Sequence, residues 1–108
     1  MNYIYNDTLN DLEYIIKDLR QAKDSDAYMK LNKLMSEINT IFSDIIQNIN
    51  IFKENGVYAS EEIILLQLEN MMDGLQNKDI IKLADTLEYE IIKTIEVYLE
   101  ILRENKRV

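Results

Sequence analysis

The clearest pattern in the chain is a row of apolar residues in its middle, spaced alternately four and three positions apart. The row consists of Leu31, Met35, Ile38, Phe42, Ile45, Ile49 and Phe52. Such spacing places side chains on one face of an α-helix, where they can meet a neighbouring helix. The pattern predicts a long helix from about Ser25 to Lys53, which follows a turn at Asp24-Ser25-Asp26.

A second apolar row predicts a shorter helix before this turn. The helix is expected to begin at Asn6 or Asp7, which are good N-caps, and to end near Ala22 or Lys23. Its buried side chains would be Leu9, Leu12, Ile16 and Leu19. Residues 1–6 would then form a short lead-in.

The second half of the chain follows the same plan. Asn55-Gly56 is expected to end the long helix, because glycine takes the left-handed conformation at little cost. Ser60 and Asp79 are the predicted N-caps of a third and a fourth helix. Gly74, late in the third helix, would loosen its last turn or permit a close helix contact. The fourth helix carries its own alternating row: Ile80, Ala84, Leu87, Ile91, Thr94, Tyr98 and Ile101.

These elements predict an all-α fold in a single domain of residues 1–108. Each half reads as an αα-hairpin, and short turns make neighbouring helices antiparallel. We therefore expect an antiparallel up-down-up-down four-helix bundle built from two αα-hairpins. A shift of 53 residues aligns the halves in part, for example Leu12 with Leu65 and Leu34 with Leu87. Whether this reflects a true duplication stays open.

Charge narrows the classes of partner. The chain has 20 acidic and 12 basic residues and a formal net charge of −8. Nucleic-acid binding and anionic membrane surfaces both require basic patches, so neither is expected. The acid excess either keeps the surface soluble or steers a basic protein partner. Residues 103–108 form a basic tail, which suits the end of a helix.

Localisation is predicted from three absences in the sequence. The longest apolar run is Ile63 to Leu66, far short of the ~20 residues of a membrane-spanning helix, so membrane insertion is not expected. The chain has no cysteine, and its first residues lack the basic and apolar regions of a signal peptide. A cytoplasmic protein is expected. The preference for Ile, Asn and Lys, residues with AT-rich codons, favours a bacterial source.

The residue types leave little material for catalysis. The chain has neither histidine nor cysteine, which excludes histidine phosphotransfer and Glu-x-x-His di-iron sites. Carboxylates remain, but the Glu61-Glu62 pair lacks the third acid of a helical Mg²⁺ hydrolase motif, because Leu65 stands there. We therefore predict no enzyme activity, cofactor or metal site, and keep a carboxylate- and Mg²⁺-dependent hydrolase only as an alternative.

Partner-binding candidates come from the fourth helix and from tyrosine. That helix is apolar over a broad arc, so it is expected either to be the most buried helix or to offer spare apolar surface to a partner; in the second case Ile92, Ile95 and Leu99 are the predicted contacts. Tyrosine anchors interfaces because it combines a large apolar ring with a polar tip. Tyr14 and Tyr89 complete the predicted contact set.

Two resemblances add to this interpretation. The stretch from Leu75 to Glu90 resembles a segment of small uncharacterised acidic helical proteins of Gram-positive bacteria, some of them associated with motility gene clusters. The plan of residues 9–103, with a turn at Asp24-Ser25-Asp26 before a long helix, is similar to that of flagellar export chaperones. This second resemblance implies a secreted or motility-related protein as the partner.

The leading expectation is a non-enzymatic protein-binding module. It would act as a small cytoplasmic adaptor or export-type chaperone that masks an amphipathic helix of its partner. The first alternative is a structural homodimer that buries the broad apolar arc of the fourth helix against a second copy.

Overall fold

The computed structural model describes residues 2–105, with side chains from Tyr5 onward, and this part of the chain is all helical. The helices are α1 (Asn2–Arg20), α2 (Asp24–Gln47), α3 (Asn50–Glu54), α4 (Glu61–Gln76), α5 (Ile80–Thr86) and α6 (Ile92–Glu104). A π-helical turn, Leu87–Ile91, joins α5 to α6. Arg103 of the predicted basic tail lies in α6, whereas Lys106, Arg107 and Val108 lie outside the described residues.

Helix α1 begins earlier than the N-cap pattern predicts, so residues 2–6 are helical. The reason is that the buried row continues toward the N-terminus through Tyr5 and Thr8, both buried against the rest of the protein. The Oγ1 hydroxyl of Thr8 donates a hydrogen bond of 3.1 Å to Glu37 of α2. Tertiary packing therefore extends the helix beyond the positions that capping residues mark.

Three chain reversals, after α1, α3 and α4, use the same hydrogen-bonding motif. Each places one residue in the left-handed region: Ala22 at φ 60°, Gly56 at φ 74° and Lys78 at φ 52°. After α1, the amide of Lys23 donates to the carbonyl of Asp18 at 2.8 Å, the long bond of a Schellman motif. The first and last left-handed residues are 56 positions apart, so the 53-residue shift does not superpose the two turns.

The predicted long helix is divided at Asn48 and Ile49. Helix α2 ends at Gln47 and α3 begins at Asn50. The side-chain amide of Asn48 donates to the carbonyl of Asp44 at 2.9 Å, and such a local side-chain bond competes with the backbone hydrogen bonds of the helix. The apolar row continues across the break, because Ile51 and Phe52 are both buried.

The start of α4 and the start of α5 confirm their predicted caps. Ser60 accepts a hydrogen bond from the amide of Ile63, and Asp79 accepts one from the amide of Lys82. Gly74 makes the predicted close helix contact. A Cβ built there would lie 3.0 Å from the Cα of Leu83 on α5, so only glycine lets the two backbones approach this closely.

The helices have a definite set of neighbours. Helix α1 packs against α2 and also against α5, the π turn and α6. Helix α4 packs mainly on α5 and also contacts the π turn and α2, while α3 contacts α6. The described residues measure 40 × 27 × 19 Å along their principal axes. Among them, no helix combines the length and apolarity needed to cross a membrane.

Candidate functional site

Tyr14 and Tyr89, two of the predicted contact residues, are exposed beside two separate surface grooves. Tyr14 is 64% exposed and lines a groove of about 390 Å³ between α1 and α2. Tyr89 is 61% exposed and lines a groove of about 290 Å³ between α1 and the π turn. Acidic side chains border both grooves, and lysines line both as well: Lys30 and Lys33 in the first and Lys93 in the second.

The three apolar members of the predicted contact set do not offer free surface. Ile92, Ile95 and Leu99 are 6%, 0% and 3% exposed. The predicted fourth helix corresponds to α5, the π turn and α6. Its broad apolar arc is covered because α1, α2 and α3 all pack against α6, so these side chains belong to the core. Ile92 still lines the groove beside Tyr89.

Arg20 forms two ion pairs near the π turn. Its guanidinium lies 3.0 Å from a carboxylate oxygen of Asp85 and 3.0 Å from one of Glu88. The hydrogen bond from Arg20, together with one from Tyr89, lowers the pKa of Glu88. The bond to Glu88 in turn raises the pKa of the Tyr89 phenol. These interactions connect the C-terminal end of α1 to α5 and the π turn.

A polar cluster that the sequence pattern did not predict lies near the C-terminal end of α2. The hydroxyls of Tyr5 and Tyr98 both donate to Oδ2 of Asp44, at 3.0 and 2.7 Å. Asn48 donates to the Tyr98 oxygen at 3.2 Å, and the Tyr98 ring stacks on Phe52 with centroids 5.9 Å apart. Burial and the bond to Asp44 raise the pKa of Tyr5 to about 12 and that of Tyr98 further. The cluster joins α1, α2, α3 and α6.

The carboxylates of α4, α5, the π turn and α6 are dispersed. Among residues 2–105, no three acidic side chains converge in a way that could hold a metal ion. Asp85 and Glu88 are engaged by Arg20, and Glu96 lies 3.8 Å from Lys93. Glu61 and Glu62 stand exposed in the first turn of α4.

Helix α4 is the least covered long helix of the fold. Only Ile64, Met71 and Gly74 of its 16 residues are buried, whereas α2 buries seven of 24. Leu65 and Leu66 are 48% and 53% exposed. The signal for this exposure is the unbroken apolar run from Ile63 to Leu66, because four consecutive residues of a helix cannot all face one core.

The apolar edge of α4 faces away from α5 and α6. Gly74 touches Leu83, and Gln67 accepts a 2.6 Å hydrogen bond from Thr94, so one side of α4 lies on α5 and α6. Leu65, Leu68, Met72 and Leu75 form a row along α4. Helical spacing places this row on the other side of the buried residues from α5 and α6. All but the exposed Leu65 are half-buried.

A matching edge of α2 faces away from α1. The α1 side of α2 is marked by Glu37 and Asp44, which accept hydrogen bonds from Thr8 and Tyr5. On the other edge lie Tyr28, Met35 and Ile46, all half-buried. Burial, helped by the charges of Asp24 and Asp79, raises the pKa of Tyr28.

We call these two edges together the α2–α4 seam. It comprises Tyr28, Met35, Ile46, Leu65, Leu68, Met72 and Leu75. Since α4 rises 1.5 Å per residue, the row from Leu65 to Leu75 is about 15 Å long, or three helical turns. The seam is therefore an elongated apolar surface that the chain covers only in part.

Comparison with known proteins gives a family without an assigned activity. The family model described as "Domain of unknown function (DUF8042)" matches residues 4–101. No curated protein and no solved structure matches the chain. The match confirms the prediction of an uncharacterised family, and the segment from Leu75 to Glu90 lies within it.

Proposed function

The chain belongs to the DUF8042 family, and we propose that it is a non-enzymatic protein-binding module whose α2–α4 seam receives an amphipathic helix of a partner protein. In this role it acts in the bacterial cytoplasm as a small adaptor or export-type chaperone. A secreted or motility-related protein is the proposed class of partner.

The observation that carries the proposal is the partial cover of α4. Its apolar row has the i, i+3, i+7 spacing that a docked helix would complete, and Leu65 at one end is 48% exposed. Met35 and Met72 contribute flexible side chains, which adapt to the shape of a bound helix. A partner helix laid along the row would exclude water from its four apolar side chains and from the part of α2 beside them.

The arrangement that we propose for the helices is an antiparallel up-down-up-down four-helix bundle. The α2–α3 segment and the α5–α6 segment would count as one bent helix each. The neighbour pairs support this, since α1 packs on both of these segments and α4 meets α2 and α5. The seam would then be the most open of the bundle's helix–helix contacts.

Tyr14 and Tyr89 remain the alternative contact surface. Both are exposed, but they flank α1, whereas the seam lies on the edge of α2 that faces away from α1. An interface on α1 and an interface on the seam therefore involve separate surfaces. Mutations can distinguish them.

The test compares partner capture by matched variants. Leu65→Glu adds a charge to the seam, and Ile81→Glu adds the same charge at a side chain that is 73% exposed and lies outside the seam. We expect a partner to be retained after a salt wash by the wild type and by Ile81→Glu but lost from Leu65→Glu. The retained protein should also bind through one amphipathic segment, prepared as a peptide.

Two results would count against the proposal. Equal retention by Leu65→Glu would show that the seam is not the contact surface. Recovery of the bait alone, together with a dimer mass in light scattering that Leu65→Glu reduces to a monomer mass, would show that a second copy covers the seam.

A further inference from the structure

The α4 flank of the seam carries only acidic charge. Glu62, Glu69 and Asp73 share a row with exposed Leu66, on the solvent side of the seam residues. Helix α4 contains no basic residue over Glu61–Gln76. Among the described residues, Asp73 lies 3.5 Å from Lys82 of α5, and Glu62 and Glu69 form no ion pair.

The α2 flank of the seam carries no charge. Helical spacing places five exposed residues in one row beside Met35 and Ile46. They are Asn32, Ser36, Asn39, Ser43 and Gln47. An elongated apolar surface therefore has an acidic border on one side and an amide and hydroxyl border on the other.

We infer that the seam binds a partner helix through a basic flank on one side of its apolar stripe, and that this flank fixes the direction in which the helix docks. The inference rests on the proposed function and specifies the chemistry of its partner. Charge complementarity carries it, because lysine or arginine beside Glu62 and Glu69 gains ion pairs, while the same residues beside Asn39 and Ser43 gain none.

The position of the basic flank determines the direction in which a docked helix runs along the seam. Turning a docked helix end for end exchanges its two flanks while its apolar stripe stays on the seam. A helix with lysines on its left flank and a helix with lysines on its right flank therefore both satisfy the acidic border, but they run in opposite directions. A helix with lysines on both flanks gains nothing from the second set.

The test uses four synthetic amphipathic peptides of about 18 residues, long enough for marginal helicity in water. They share one leucine stripe and carry lysine on the left flank, the right flank, both flanks or neither, with glutamine elsewhere. Exposed ion pairs contribute modestly and additively, so the first lysine flank should tighten binding about tenfold at low salt. The second flank should change the dissociation constant by less than about twofold.

A matched pair of variants assigns the effect to α4. Glu62→Gln with Glu69→Gln should abolish the gain from the lysine flank. The control, Asp11→Asn with Glu13→Gln on exposed positions of α1, changes the net charge equally and should retain it. A nitroxide at the peptide N-terminus should broaden amides near Leu65 for one single-flank peptide and near Leu75 for the other.

Each outcome is decisive. A second tenfold gain from the second flank, or equal loss in both variants, would overturn the inference while leaving helix binding intact. Binding of all four peptides with one affinity would do the same. If none of the four binds, the proposed function fails together with the inference.

Discussion

At the residue scale, two non-glycine residues hold left-handed backbone conformations. Ala22 at φ 60° and Lys78 at φ 52° occupy the position in a Schellman motif that glycine fills best. A Cβ in this conformation costs roughly 1–2 kcal/mol. The sequence marks Gly56 clearly as a helix end, but Ala22 and Lys78 give no such signal, so their conformation follows from the helices that they connect.

Replacing these residues by glycine should stabilise the protein. We expect Ala22→Gly and Lys78→Gly each to raise the free energy of unfolding by about 0.5–1 kcal/mol, because the relief of strain exceeds the added entropy of the unfolded chain. Ser36→Gly, at an exposed position inside α2, is the control and should lower it by about 0.5 kcal/mol. Urea unfolding measures all three, and a loss of stability in both turn variants would contradict the assignment.

The tyrosine cluster predicts a loss of stability in alkali. The pKa of Tyr5 is raised to about 12 in the folded protein, against about 10 in an unfolded chain. Above pH 10 the unfolded state therefore releases a proton that the folded state keeps, so stability is full below pH 10 and falls as pH rises toward 12. The raised pKa of Tyr98 acts in the same direction.

Denaturant unfolding at pH 9 and pH 11 tests this account of the cluster. The wild type should lose stability over this interval by on the order of 1 kcal/mol for each tyrosine. Tyr5→Phe with Tyr98→Phe should start less stable at pH 9 but lose less between the two values. An equal loss in the double variant would mean that other groups cause the alkaline change.

At the scale of elements, the sequence predicts caps and helix contacts better than helix irregularities. Ser60 and Asp79 cap their helices as expected, and Gly74 allows the close approach to Leu83. The π turn was not predictable, because the apolar row from Ala84 through Leu87 to Ile91 continues with ordinary α-helical spacing. A π turn contains one residue more than an α-helical turn. Here Ile91 and Ile92 are both buried, and Arg20 bonds to Asp85 and Glu88 beside the turn.

Removal of one residue from the π turn should be tolerated. In this turn the amide of Ile92 donates to the carbonyl of Leu87, five residues back. Deleting exposed Tyr89 shortens that spacing to four and leaves the buried side chains on both sides in place. Deleting Glu96 instead rotates the rest of α6 by about 100°, since a helix has 3.6 residues per turn, and exposes its core side chains.

Thermal unfolding followed by circular dichroism compares the two deletions. The Tyr89 deletion should keep a cooperative transition close to that of the wild type. The Glu96 deletion should lose cooperativity or unfold at a much lower temperature. The reverse order would show that the π turn is required for packing.

At the scale of the whole molecule, the fold class was predictable and the candidate surface was not. Periodicity identifies which residues of a helix are apolar, but it does not say which neighbour covers them. Ile95 and Leu99, which were predicted as partner contacts, lie in the core, whereas Leu65 and Leu66 are exposed. Only the packing of α6 against three other helices, and of α4 mainly on α5, decides this difference.

The most direct test of the central claim is a map of backbone amide shifts in the labelled protein on titration with the single-flank lysine peptide. The account predicts that the perturbed amides cluster on the seam edges of α2 and α4, around Met35, Leu65 and Met72. It also predicts that amides around Tyr14 and Tyr89 change little. Perturbations centred on Tyr14 or Tyr89, with the seam unchanged, would contradict it and place the binding surface on α1.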